Sequence, residues 1–187
     1  MSPQSVVHGR VLLGLGGNSS GPWGTPEATL RRAIEALGNR GVRVVAVSPC
    51  YRTAALGPSG QPPYVNAVAL VETALPAPAL LRLLKQIEVQ AGRRGGKPWG
   101  SRTLDLDLLD YKGLVVNWSK LTSSAPPKPG ARPLSLPHPQ IAARAFVLRP
   151  LLDVAPGWRH PVTKESARDL WRNVSKGGQG RVLQRIA

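Results

Sequence analysis

Residues 102–109 read Arg-Thr-Leu-Asp-Leu-Asp-Leu-Leu, with acidic and apolar side chains alternating through Asp105 and Asp107. A period of two belongs to a β-strand, so the two carboxylates share one face, roughly 7 Å apart along the chain. Neighbouring carboxylates repel each other and lose hydration when buried, a cost that a bound cation or arginines offset. Magnesium is the hard, oxygen-seeking candidate, since it is usually held by one or two carboxylates with substrate phosphates completing the octahedron. A solvated strand face has the same pattern, although three of the five aspartates in the chain fall between 105 and 110.

The segment just before it, Arg93-Arg94-Gly95-Gly96-Lys97-Pro98-Trp99-Gly100-Ser101-Arg102, mixes cations with three glycines. It reads as a cationic lid: glycines permit a hinge, the cations cover phosphates, and Trp99 excludes water on closure. A plain basic linker has the same composition, and only adjacency to Asp105 and Asp107 favours the lid.

These groups need a scaffold, and the hydrophobic pattern supplies one. Val11-Leu12-Leu13 reads as a first strand ending in the flexible run Gly14-Leu15-Gly16-Gly17-Asn18, which lacks the third glycine of a dinucleotide-binding turn. Thr25 and Pro26 start a helix as N-cap and first helical residue; Leu30, Ala33, Ile34 and Leu37 form its apolar stripe before Gly38. Residues 42–47 and 65–73 read as strands, separated by a Gly- and Pro-rich loop at 55–63 that is itself a candidate site. Pro78 opens a second helix through Leu80, Leu84, Ile87 and Ala91, and Gly92 ends it. Residues 103–111 form a fourth strand, and Lys112-Gly113 turns the chain into a short partner strand at 114–116. The order βαββαβ predicts an α+β fold, an antiparallel sheet backed by helices in the ferredoxin-like arrangement. Residues 118–132 read as a surface loop, 166–174 as a C-terminal helix, and the last dozen residues as a fraying extension.

A chain of 187 residues with 42% hydrophobic content supports one domain over 1–187. Its net charge of +15, carried by 18 arginines and 7 lysines, implies anionic partners, and guanidinium forks suit phosphates. A biased base composition in the coding sequence gives the same basic surface. Cys50 is the one cysteine, with no partner for a disulfide or a zinc site, and reads as a small buried hydrophobe. The apolar stretch at 11–15 is far shorter than a membrane span and follows no cleavable leader, which predicts a cytoplasmic location.

Beyond the Arg-x-x-Asp-x-Asp run, three further blocks stand out: Tyr51-Arg52-Thr53 with Leu56-Gly57-Pro58; Gln61-Pro62 with Tyr64-Val65-Asn66; and Pro137-His138 followed by Arg144, Phe146 and Pro150-Leu151. In order and spacing the four resemble the 6-hydroxymethyl-7,8-dihydropterin pyrophosphokinases of folate biosynthesis, over about residues 11–171. The resemblance implies transfer of pyrophosphate from ATP to 6-hydroxymethyl-7,8-dihydropterin, giving AMP and the pterin diphosphate. It implies two magnesium ions at Asp105 and Asp107, and catalytic roles for these with Arg93 and Arg102. On the pterin side it implies Thr53, Leu56, Gly57, Pro58, Tyr64, Asn66, Trp99 and Phe146. On the nucleotide side it implies Glu88, Arg93, Lys97, Arg102, His138 and Arg144, with no role for Glu88 deducible from spacing. A monomer that binds neither membrane nor specific nucleic acid is expected.

The chain departs from the family pattern at Pro98, where a basic residue is common, at Gly17, where serine is common, and in the long stretch at 118–132. A rival from another class is a basic ferredoxin-like nucleic-acid-binding module without catalysis. Against it, the chain lacks the aromatic-rich strand of such RNA binders, and an aspartate pair repels phosphate unless metal intervenes.

Overall fold

A computed structural model describes residues 9–55, 60–94, 100–118, 134–175 and 180–186. The chain runs β1 (Val11–Gly17), α1 (Pro26–Gly38), β2 (Arg43–Val47), β3 (Cys50–Thr53), β4 (Tyr64–Glu72), α2 (Ala77–Gln90), β5 (Asp105–Tyr111), α3 (Ala145–Val154), α4 (Ala167–Val174) and β6 (Val182–Ile186). Six strands form one antiparallel sheet in the order β5-β1-β4-β3-β6, with β2 also on β4. β2 and β3 pair with successive stretches of β4, so together they are the second strand of the βαββαβ unit. The break falls at Ser48-Pro49, where the Ser48 amide donates to the Val68 carbonyl and its hydroxyl accepts from the Val68 amide.

The sheet separates two apolar layers. Val11, Leu13 and Leu15 of β1 and Leu104, Leu106 and Leu108 pack under Leu30, Ala33 and Leu37 of α1 and Leu80, Leu84 and Ile87 of α2. Leu12, Val68, Leu70 and Leu109 face the other way, against Val147, Leu148 and Leu151 of α3 and Leu170 of α4. Both faces are therefore covered, where the sequence pattern accounted for helices on one.

The starts of α1 and α4 follow capping chemistry. The Thr25 hydroxyl accepts from the Ala28 amide at 3.3 Å, with Pro26 in the first turn. Thr25→Ala is expected to cost about 1 kcal/mol, a fall in Tm of about 2–4 °C in a thermal melt, with turnover unchanged.

Four expectations need correction. Gly14 to Gly17 are not a flexible run but the second half of β1, every residue buried between β4 and β5, whose ladders extend the strand. Residues 114–116 form no partner strand. The turn exists, with positive φ at Lys112 and Gly113, but Val116 then exchanges two backbone hydrogen bonds with Leu136 and is satisfied there. Of the predicted fraying extension, Val182–Ile186 are instead β6, paired with β3, whose outer edge would otherwise be unpaired. Cys50 is only partly buried, at the margin of the α1 and α2 layer. The third helix was missed because Pro150 sits inside it, at the expense of one backbone hydrogen bond. Of the 118–132 loop, all but Trp118 lies outside the described residues. Among the described residues no helix is long and apolar enough to cross a membrane.

Candidate functional site

Cross-strand partners in an antiparallel ladder share a face, and the register of β1 therefore decides where the site lies. Gly16 sits between Asp105 on β5 and Asn66 on β4; Gly14 sits between Asp107 on β5 and Val68 on β4. Because both central positions lack side chains, the sheet carries a hollow of about 120 Å³, with the two carboxylates on one side and Asn66 on the other. A Cβ on Gly16 would fall 2.6 Å from Asn66 Oδ1, so the closeness of the amide to the strand requires glycine there.

The register slips by one residue beyond Leu108, which returns Asp110 to the same face as the pair. Asp110 has a different environment. Trp158 Nε1 donates to it at 2.6 Å and the Gly113 amide at 3.0 Å, and burial raises its carboxyl above the usual range. It belongs to the core under α3, which separates it from Asp105 and Asp107.

Each carboxylate of the pair faces guanidinium. Arg93 donates to Asp105 Oδ1 at 2.8 Å and Arg102 to Oδ2 at 2.7 Å. Arg144 donates to Asp107 Oδ2 at 3.2 Å, and His138 Nε2 lies 4.0 Å from the same oxygen. Burial would raise the Asp107 carboxyl, but His138, Arg144, Lys85 and Arg102 outweigh it and hold it at about 2. Burial also lowers the His138 imidazole more than Asp107 raises it, so Arg144 is the permanent countercharge. His138 Nδ1 accepts from the Gln140 amide, which turns Nε2 toward Asp107.

The structure supplies a role for Glu88, which does not line the hollow. Its side chain is 3% exposed beneath the outer edge of β5. There Oε1 accepts from the Leu106 amide and from Lys85 Nζ, both at 2.7 Å, while Oε2 pairs with Arg93. Lys85 also donates to the Leu106 carbonyl at 2.9 Å. Glu88 and Lys85 thus occupy both backbone groups of the residue between the two aspartates, substituting for a missing neighbour strand. Their spacing on α2 was a sequence signal, but its target on β5 was not.

On the far side, Asn66 Nδ2 donates to the buried Thr53 hydroxyl at 2.8 Å, and Phe146 lines the wall at the start of α3. The Arg144 guanidinium lies 5.4 Å from the Phe146 ring centroid. Tyr64 also lines the hollow and donates its hydroxyl to the Gly100 carbonyl at 3.1 Å. Sequence reasoning missed Asn18. Its Oδ1 accepts from the Arg102 amide at 2.8 Å, its own amide donates to the Arg102 carbonyl at 2.9 Å, and Nδ2 donates to the Pro62 carbonyl at 3.2 Å. One side chain thus latches the loop carrying Arg102 to the segment entering β4; a lone asparagine after glycines gave no warning of it. Arg93, Arg102, Asp105, Asp107, His138 and Arg144 gather on the carboxylate side, and Thr53, Tyr64, Asn66 and Phe146 on the other. Leu56, Gly57, Pro58, Lys97 and Trp99 lie outside the described residues.

Comparison with known proteins shows the family. The family model for 7,8-dihydro-6-hydroxymethylpterin-pyrophosphokinase matches residues 12–156. A 2-amino-4-hydroxy-6-hydroxymethyldihydropteridine pyrophosphokinase of Pseudomonas aeruginosa is 40% identical over 152 residues, 81% of this chain and 84% of that protein. A protein of the same name from Synechocystis is 39% identical over 168 residues, 89% and 76% of the two chains. Among solved structures, the Plasmodium falciparum HPPK-DHPS wild type with SDX-DHP superposes with a TM-score of 0.63 at 13% identity, a likeness of fold; this chain covers 44% of that longer one. With a matched model over most of its length and relatives near 40% identity, the chain belongs to the 7,8-dihydro-6-hydroxymethylpterin-pyrophosphokinase family.

Proposed function

We propose that the chain transfers the terminal pyrophosphate of ATP to 6-hydroxymethyl-7,8-dihydropterin. The hydroxymethyl oxygen attacks the β-phosphorus, the bond from the β-phosphorus to the α,β-bridging oxygen breaks, and that oxygen leaves with AMP. The hydroxyl proton passes to solvent. Family membership supports the reaction, and the row Asp105-Gly16-Asn66 is the observation that carries its placement: a carboxylate and an amide face each other across a floor without side chains.

The donor set fits magnesium, because Asp105 and Asp107 offer hard oxygens on one face and three arginines already stand there as countercharge. The residues that would hold two magnesium ions with ATP are Asp105 and Asp107. Bound there, the ions would offset phosphate charge and align the triphosphate. Arg93, Arg102 and Arg144, with His138 beside them, are the groups that would meet phosphate oxygens, and the family pattern alone adds Lys97. Arg144 keeps its Nε buried without a hydrogen-bond partner, a donor that an anionic ligand would satisfy. Thr53 fixes the Asn66 amide against the heterocycle, and Tyr64 and Phe146 bound it; the family pattern alone adds Leu56, Gly57, Pro58 and Trp99 to the pterin side. Transfer of this kind depends on positioning and charge more than on a covalent nucleophile. The protein acts as a cytoplasmic monomer in this reading.

Product analysis tests it. With ATP, magnesium and the dihydropterin, AMP and a pterin diphosphate are expected in equal amounts. ADP as the stoichiometric product would overturn the reading.

A further inference from the structure

The family match ends at residue 156, yet the chain returns to the hollow from further along. β6 pairs with β3 so that Val182 lies opposite Thr53, and the Ala54 amide donates to the Arg181 carbonyl at 2.9 Å. Immediately before that strand, Gly180 is buried with φ +69, and its backbone lies against the ring of Phe146. A Cβ built on Gly180 would stand 2.2 Å from Phe146 Cδ1 and 3.1 Å from Cε1 and Cγ. The C-terminal segment therefore backs two parts of the pterin-side wall, the Phe146 ring and the Thr53-Ala54 edge, both of which line the hollow.

We infer that Gly180 is a positioning residue for the pterin subsite, setting how far the Phe146 ring can withdraw from the hollow; this rests on the reaction proposed above. The ring borders the hollow, packs against the α3 layer and carries the Arg144 guanidinium, and the Gly180 backbone sets how far it can withdraw. Carbon atoms settle at about 3.5 Å or more. A methyl group at Gly180 would then push the ring by roughly 1.3 Å, the difference between that contact and 2.2 Å, into the space the pterin needs. A displacement of that size at a substrate-positioning group is worth up to about a hundredfold in rate. The three atoms nearest a Cβ on Gly180 all belong to Phe146, and of the phosphate-side cations Arg144 lies against that ring, so the larger effect should fall on the pterin.

The experiment uses the full chain and compares Gly180→Ala and Gly180→Asn with wild type in steady-state kinetics, varying each substrate in turn. Asparagine tolerates positive φ better than alanine, which keeps the test usable if backbone strain alone unfolds the alanine variant. Gly41→Ala is the comparison for strain, because Gly41 has φ +76 and nothing within 4 Å of a built Cβ. Both Gly180 variants are expected to raise KM for the dihydropterin at least tenfold while KM for ATP stays within twofold. Gly41→Ala should lower Tm but leave both KM values alone. Calorimetric binding of the dihydropterin in the presence of magnesium and a non-hydrolysable ATP analogue gives a second readout independent of turnover. A wild type that binds the pterin without transferring pyrophosphate removes the proposed reaction but leaves Gly180 to be judged by Kd. Wild-type pterin KM and Kd in the folded variants overturn the inference. So do a parallel rise in KM for ATP, failure of both variants to fold, or a wild type that neither binds nor turns over.

Discussion

Asp107→Asn and Asp105→Asn are each expected to lower turnover at least tenfold with ATP and magnesium, a loss of about 1.4 kcal/mol or more of transition-state stabilisation. Asparagine preserves size and removes a charge, so packing survives while a hard oxygen ligand is weakened. From the strand pattern alone, removing one of two like charges should relieve repulsion and slightly stabilise the protein without ATP. The structure reverses that sign. Asp105 is paired with Arg93 and Arg102, and Asp107 with Arg144, so each substitution leaves guanidinium uncompensated. Because the aspartates are only about a quarter exposed, the loss in the ligand-free protein should be about 1–2 kcal/mol, between that of an exposed and that of a fully buried pair. A magnesium titration of turnover beside thermal melts separates the two effects. If both variants turn over like wild type at every magnesium concentration, the carboxylates are a solvated strand face and the proposed metal site is wrong.

Glu88→Ala should have the largest effect on stability, about 3 kcal/mol, or a fall in Tm of roughly 6–12 °C. It strips the acceptor from the Leu106 amide, which is buried at the outer edge of β5, and releases Lys85 and Arg93 together. Burial holds the Glu88 carboxyl above its usual range even though Lys85, the Leu106 amide and Arg93 pull it down. What matters is therefore an acceptor in that position more than its charge. Glu88→Gln keeps the acceptor and should cost no more than about 1 kcal/mol. Urea unfolding of the two variants discriminates: equal losses would show that the charge dominates, and an alanine variant as stable as wild type would remove Glu88 from the support of β5. Turnover should fall with Glu88→Ala even where the protein remains folded, because Arg93 and the strand between the aspartates lose their anchor.

The parts legible from sequence were those governed by short-range periodicity. The Asp-x-Asp alternation placed both carboxylates on one face, Thr25-Pro26 marked a helix start, and the βαββαβ order followed from patterns within about ten residues. What escaped depended on distant partners. Gly14 and Gly16 resemble a flexible loop until strands from residues 66 and 105 are laid on either side. Asn18 acts on Arg102 across 84 residues, and β6 was unreadable because its pairing surface is β3, far back in the chain. Pro150 concealed α3, since local propensity penalises a proline that tertiary packing tolerates.

The glycine floor also bears on how this protein could escape an inhibitor. Every single-residue replacement at Gly16 adds at least a methyl group, which would strike Asn66 Oδ1 at 2.6 Å and force that amide off its hydrogen bond to Thr53, at the expense of the wall the natural substrate uses. A compound drawing its affinity from the backbone of that strand would rest on a surface that resistance mutations cannot readily remodel. Adaptive change would be diverted to the rim, where substitutions can block a bulky appendage without closing the space that the natural substrate fills.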